Sequence, residues 1–284
     1  MPTAEKYFIR PGSLAEAVAA LAEPGTMLVG GGTAVTLLLK NRLIEPERLV
    51  WIGGLADMSG ISVAPDGAIT IGATTTLREL HRSDVLRRSD AVLGEAAGKV
   101  GNPRVRAVAT LGGAVVHGDP RQDLPPVLLA QRARLEVLSR DGGRSIELSA
   151  FFLGFMETAL GEEEIITSVQ IPSRANWHDA YTRFTPGSED DYPSVGVAVS
   201  LALGHNGRIE DAEIALGGVD STAILVKEAA AALLGTPGSL QDRAAAARFA
   251  AAACNPGDDQ RGRAQYKRDM VGVWTERTIE RCLD

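Results

Sequence analysis

Three consecutive glycines followed by threonine, Gly30-Gly31-Gly32-Thr33, carry the strongest local chemical signal in this sequence. Glycines let backbone N–H groups converge on an anion with no side chain in the way. The apolar run Thr26 to Val29 before them predicts a short buried strand, and Thr33 to Lys40 predicts a helix whose N-terminus adds positive potential. A phosphate or diphosphate is the ligand such a turn would take. A plain turn is the alternative that glycines alone leave open. The loop is not a Walker A, because no Gly-Lys-Ser/Thr follows at the required spacing. Gly30 and Gly32 fit the G-x-G of a dinucleotide fingerprint, but Val35 stands where its third glycine would be.

A second pair, Gly112-Gly113, lies far downstream in Ala109-Thr110-Leu111-Gly112-Gly113-Ala114, followed by His117 and Asp123. Two small-residue turns could clamp a diphosphate from both sides. Asp123 could accept from a ribose hydroxyl, or cap the helix that Pro125 and Pro126 would open, or do both. Of the four histidines, only His117 sits beside a candidate ligand site. His81 is expected in solvent on a helix and His205 in a turn. None has metal-ligand spacing. No nucleophile elbow and no paired-carboxylate motif can be recognised. Cys254 and Cys282 cannot supply the four thiolates of an all-cysteine cluster or zinc site and read as buried free thiols. No catalytic group and no metal site is therefore assigned to this chain.

The elements that would position these residues alternate between helix and strand. Ser13 with Glu16 and Thr76 with Glu79 have capping-box spacing. Hairpins are expected around Pro65-Asp66-Gly67 and Asp141-Gly142-Gly143. Val100 to Asp123 reads as a poor helix and a patchy strand. Glu164 to Ile171 is a strand stopped by Pro172, and the polar stretch Ser173 to Asp179 marks a domain boundary. Beyond it come strands at Val195 to Leu203 and Ile214 to Leu216. Helices follow over Ala229 to Leu234, Ala244 to Ala253 and Gln265 to Arg281. At 284 residues, 45% hydrophobic and 23% charged, the chain has the balance of a folded protein of two domains, or of one large one. Its net charge of −7 disfavours general binding of nucleic-acid phosphates. No apolar run is long enough to span a bilayer, and the N-terminus lacks the apolar core of a secretory signal. A cytoplasmic location is expected, with export inside a folded complex left open.

These residues together resemble the medium subunits of the molybdenum hydroxylases, the xanthine dehydrogenase and carbon monoxide dehydrogenase family. Val29-Gly30-Gly31-Gly32-Thr33 is similar to that family's first FAD-binding loop. Arg106 to Ala114 is similar to its second, usually written R-N-x-A-T-I-G-G-N. Asp119-Pro120, Asp123-Leu124-Pro125, Thr158-Ala159-Leu160, Glu164-Ile165-Ile166 and Arg261 to Arg268 continue the likeness in order.

The resemblance implies an α+β fold. An FAD-binding domain of the vanillyl-alcohol oxidase (PCMH) type would span residues 1–173, with subdomains of about 1–55 and 56–173. A smaller domain with an antiparallel sheet would span 174–284. It implies that Val29, Gly30, Gly31, Gly32, Thr33, Ala34 and Val35 line the diphosphate of FAD. Thr110, Gly112, Gly113 and Ala114 would approach it from the other side. Asp123 would hold the ribose, and His117 would lie beside the cofactor. Val100 falls near the adenine, and Ile166 where a backbone group reaches the flavin ring. Arg183 stands where the family has lysine. Tyr192 matches an aromatic that in some members covers the isoalloxazine, though it also reads as an ordinary loop tyrosine. Ala114 departs from the usual asparagine, which removes a side-chain hydrogen bond and keeps the backbone nest. The implied function is electron transfer. FAD here would receive electrons from 2Fe-2S clusters in a small partner chain, fed by a molybdenum cofactor in a large one, as a dimer of heterotrimers. A self-sufficient FAD-dependent reductase on the same fold and a cofactor-less scaffold are the alternatives.

Overall fold

The computed structural model describes residues 7–189 and 191–284. The leading residues, read above for a secretory signal, lie partly outside that range. A small parallel sheet comes first. Strand β1 (Tyr7–Ile9) leads to helix α1 (Leu14–Leu21), capped by the Ser13 side chain, which accepts from the Glu16 amide. Strand β2 (Thr26–Val29), helix α2 (Thr33–Lys40) and strand β3 (Arg48–Trp51) follow. The order is β1-β3-β2 with both pairs parallel, so each helix is a crossover. The β2–α2 turn is therefore the carboxyl end of a parallel strand, where the chain must reverse over the sheet edge.

Strands β4 (Ile61–Val63) and β5 (Ile69–Gly72) make the first expected hairpin. Helix α3 (Leu77–Arg82) carries the complete Thr76–Glu79 capping box. Helices α4 (Asp84–Ser89) and α5 (Ala91–Lys99) come next. The stretch Val100 to Asp123 is more helical than its composition suggested. It holds α6 (Pro103–Arg106), capped by Asn102, and α7 (Leu111–Val116), capped by Thr110. Local side-chain caps on one-turn helices override the poor propensity of glycine-rich sequence there. Helix α8 (Leu124–Ala130) is buried throughout. Strands β6 (Arg134–Ser139) and β7 (Gly142–Glu147) form the second hairpin. A small ribbon of β8 (Phe152–Gly154) and β9 (Glu157–Thr158) follows, and then β10 (Ile165–Ile171). The second sheet has the order β4-β5-β10-β6-β7 and is antiparallel.

The chain enters a third large sheet at β11 (Trp177–Phe184), which begins inside the polar stretch read as a boundary. Its buried residues are the short run Ala180-Tyr181-Thr182 between partly buried polar ones, so composition alone hid it. It pairs antiparallel with β12 (Val195–Leu203), then β13 (Ile209–Gly217) and the short β14 (Ile224–Leu225). Helices α9 (Lys227–Ala231), α10 (Leu240–Ala253) and α11 (Ala264–Leu283) complete the C-terminal part, and α11 packs on β11 and β12. Two apolar cores result. One is built around β3, β5, β10 and α8, the other around β12, β13, α10 and α11. Both cysteines are buried and unpaired, and burial pushes the Cys282 thiol up to about 12. No helix among the described residues is long and apolar enough to cross a membrane, and no His/Cys/Asp/Glu group there could hold a metal ion.

Candidate functional site

A cavity of about 820 Å³ opens where the first sheet, the second sheet and the start of the C-terminal sheet meet. Both glycine turns line it. So do Val100, His117, Asp123, Ile166, Arg183 and Tyr192, drawn from segments far apart in sequence. Of the residues expected at the site, only Val29 is not on the wall. It lies buried at the end of β2, directly behind the turn.

The two turns pack on each other. A Cβ on Gly30 would stand 2.6 Å from the Thr110 hydroxyl, and one on Gly31 would stand 1.8 Å from the Val108 carbonyl. These glycines let the loops touch. Gly32 answers a different need, for its φ of +72° is left-handed and its Cβ would meet nothing nearer than 3.5 Å. As N-cap of α2 it offers no side chain, so the first-turn amides of that helix have no side-chain cap. They end at the cavity, where Thr33, Ala34 and Val35 lie on the wall. The second turn has its amides in use. The Leu111 amide donates to the Thr75 carbonyl at 2.9 Å and the Gly112 amide to Ala73 at 2.8 Å. The Gly113 amide donates to the Thr110 hydroxyl at 3.2 Å and the Ala114 amide to the Thr110 carbonyl at 2.9 Å. That loop supplies a close surface, and a Cβ on Gly112 would strike Ala73 at 2.8 Å.

Asp123 occupies the N-cap position of α8, yet its side chain makes no cap bond. It turns instead to the C-terminal sheet. The Tyr181 hydroxyl donates to its Oδ1 at 2.8 Å, and Arg183 Nε lies 3.1 Å from the same oxygen. Burial pushes the Asp123 carboxyl up, while the Arg183 charge pulls the other way. Burial likewise holds Tyr181 well above the usual phenol range. Gly196 leaves room for this network, since a Cβ there would stand 2.9 Å from the Tyr181 hydroxyl. His117 is half-buried, and desolvation lowers its pKa, while the Asp119 charge pulls the other way. Strand β10 carries a bulge between Ile166 and Ser168, beside the cavity, and a bulge re-aims backbone groups out of the ladder. Tyr192 is 42% exposed in the loop after β11.

Sequence reasoning missed other parts of the wall, among them Met156, Leu160, Glu164 and Asp191. Leu160 and Glu164 lay within segments that already carried the resemblance. Asp191 stood in the same segment as the expected Tyr192, and nothing local marked Met156. A cavity of this size with an uncapped helix N-terminus on one wall and a buried carboxylate on another suits a dinucleotide-sized ligand with an anionic centre.

Residues 3–174 match the family model described as the FAD binding domain in molybdopterin dehydrogenase. Residues 180–282 match that of the CO dehydrogenase flavoprotein C-terminal domain. The chain is thus a flavoprotein subunit of an oxidoreductase complex. It is 31% identical over 276 residues to the carbon monoxide dehydrogenase medium chain of Afipia carboxidovorans, covering 96% of this chain and 95% of that one. It is 27% identical over 277 residues to the xanthine dehydrogenase FAD-binding subunit of Escherichia coli O157:H7, covering 96% and 94%. Its fold superposes on a chain of a solved carbon monoxide dehydrogenase from Hydrogenophaga pseudoflava, one lacking the Mo-pyranopterin moiety of the molybdenum cofactor. The TM-score is 0.93 at 32% identity, covering 99% of this chain and 97% of that one. The chain belongs to the family of FAD-binding medium subunits of molybdenum hydroxylase complexes such as carbon monoxide dehydrogenase.

Proposed function

We propose that the cavity between the glycine turns holds FAD, and that this chain passes electrons between 2Fe-2S clusters of a small partner chain and an external acceptor. A large partner chain would carry the molybdenum cofactor, the whole forming a dimer of heterotrimers in the cytoplasm. The observation that carries this reading is the uncapped N-terminus of α2, opening onto a cavity whose facing loop has its amides already bonded. In this reading the amides of Gly31 to Val35 hold the diphosphate. The second turn closes on it as a surface without adding donors. Asp123, with Oδ1 committed to Tyr181 and Arg183, offers its other oxygen to a ribose hydroxyl. Val100 packs near the adenine, and Ile166 with Tyr192 lies at the flavin end. The cofactor would occupy residues of an N-terminal domain, 1–173, and be closed by a C-terminal domain, 174–284. FAD, when bound, supplies the redox chemistry, while the protein supplies orientation and electrostatics.

The test is the visible spectrum of this chain purified with whatever accompanies it, with the released chromophore identified. Released FAD together with a larger and a smaller companion chain is the expected result. FAD and turnover in this chain alone would point to the self-sufficient enzyme. An intact complex without flavin would leave only a scaffold.

A further inference from the structure

The loop between β11 and β12 carries Tyr192 on the cavity wall and is held by three arginines from separate parts of the chain. Arg183, on β11, donates through Nη1 to the carbonyls of Lys99 and Glu189, each at 2.6 Å, and through Nη2 to the Asp191 carbonyl. Arg121, after α7, is fixed by a bidentate pair with buried Asp119 at 3.0 and 2.9 Å, and its guanidinium lies 5.4 Å from the Tyr192 ring centre. Arg261, before α11, pairs with the Asp191 carboxylate at 2.5 Å and lies 5.8 Å from the same ring. Both guanidiniums are within cation–π range. Tyr192 is thus gripped by one cation from the FAD-binding part and one from the C-terminal part.

Arg261 is built for that place. Its amide donates to Asp259 Oδ1 at 2.8 Å, and its carbonyl accepts from the Ser194 hydroxyl at 3.1 Å. Lys267, with its side chain 4% exposed, donates to the Gly257 carbonyl at 3.0 Å and pairs with Asp259 at 2.8 Å. A buried ammonium is costly unless so paired. Here it fixes a tight turn at 257–262, and that turn aims Arg261 at the loop. This gives a role to part of the C-terminal run Arg261 to Arg268, which the binding of FAD alone leaves unexplained.

We infer that Arg261 is a positioning residue for the flavin site, which together with Arg121 holds the Tyr192 ring at the cavity wall and so controls access to the bound cofactor from that side. The inference rests on the reading that the cavity holds FAD. Neither arginine touches the cofactor in this account, and each acts through Tyr192.

The test uses the assembled complex carrying Arg261→Ala, Arg261→Lys, Tyr192→Ala and the double Arg261→Ala/Tyr192→Ala variant. The readouts are FAD occupancy, flavin fluorescence yield and the rate at which dioxygen reoxidises dithionite-reduced flavin. Loss of one partly exposed cation–π contact predicts that Arg261→Ala raises fluorescence and reoxidation rate about fivefold with occupancy unchanged. Tyr192→Ala is expected to do at least as much, Arg261→Lys less, and the double variant no more than Tyr192→Ala. An Arg261 effect that persists in full on the Tyr192→Ala background would overturn the inference. So would Arg261 variants that leave the flavin signals at wild-type values while Tyr192→Ala changes them, or a Tyr192→Ala that changes nothing with FAD bound. Absence of FAD from the wild-type complex would instead defeat the reading of the cavity. If Arg261→Ala fails to assemble, Arg261→Lys and Arg121→Gln make the same comparison.

Discussion

The two glycine turns of this chain look alike in sequence and differ in what they offer. The first ends in an uncapped helix, with Gly32 in a left-handed conformation and no side chain over the amides. The second is capped by Thr110, and each of its amides from Leu111 to Ala114 has a protein acceptor. The first turn leaves its helix amides without a side-chain cap, while the second has its amides bonded within the protein. A glycine run therefore marks where backbone comes close, and only the hydrogen-bond partners tell whether it comes close to a ligand or to another loop.

The sharpest way to break that contrast is a charge in the first turn. Gly32→Asp places a carboxylate at the site proposed for the diphosphate. Two like charges about 4 Å apart at an effective dielectric of about 20 repel by about 4 kcal/mol, or roughly 1,000-fold in affinity. FAD titration of the variant should show near-complete loss of binding, while the φ of +72° costs a non-glycine residue there about 1–2 kcal/mol of stability, although the Cβ itself meets nothing nearer than 3.5 Å. Full flavin occupancy would refute the placement of the first loop.

A second effect lies behind the cavity wall. Asp90 caps α5, whose far end carries Val100 into the cavity, and it accepts from the Gln131 side-chain amide at 2.8 Å. Its Oδ2 and Gln131 Oε1 are both buried without a partner. A proton on the carboxyl would remove a buried, uncompensated charge. Burial pushes the Asp90 pKa up to about 7, with Asp179 reinforcing the shift and Arg174 opposing it. The native state therefore holds this proton more tightly than the unfolded chain. The stability is fully present below pH of about 4 and is lost as pH rises through about 7. Asp90→Asn, which mimics the protonated acid, should melt like wild type at pH 4 and be more stable at pH 8, by on the order of a few kcal/mol. Parallel melting curves across that range would sink this account.

These contrasts were unevenly legible in the sequence. The β2–turn–α2 unit could be read because an apolar run, glycines and a helix start follow one another within one segment. The same locality revealed the Thr76–Glu79 capping box and both large hairpins; at Ser13 it revealed the cap but not a box, since the Glu16 carboxylate accepts from the Gly12 amide instead. Asp123 was half legible: its place at the start of α8 follows from the prolines. Its side chain is committed to Tyr181 and Arg183, which lie about 60 residues on in a strand that polar composition concealed. The closed state of the second loop was illegible, because Thr75 and Ala73, which occupy its amides, are joined to it only by tertiary packing. The resemblance to a family supplied the ligand. It did not supply the division of labour between the two loops.

A subtler substitution tests the wall itself. Gly112→Ala would drive a Cβ to 2.8 Å from the Ala73 methyl and 3.0 Å from its carbonyl oxygen. Overpacking of this kind costs about 1–3 kcal/mol. Denaturant unfolding should show that loss of stability, and FAD affinity should fall less than it does in Gly32→Asp. An unchanged stability would mean that the second turn is not held against Ala73.

The smallest expected effect discriminates best. The Thr110 hydroxyl accepts from the Gly113 amide and also stands where a Cβ on Gly30 would fall, so it touches both turns. If Thr110 serves as a helix cap, Thr110→Ala removes about 1 kcal/mol of stability, or a few degrees in melting temperature for a chain of this size, and Thr110→Ser restores it. FAD affinity should then stay within about threefold of wild type, because losing one cap costs only about 1 kcal/mol. If instead Thr110→Ala leaves the melting temperature alone and costs tenfold or more in affinity, the hydroxyl is a ligand to the cofactor. The second turn would then share the binding with the first, and the division between a donating loop and a supporting one would be wrong.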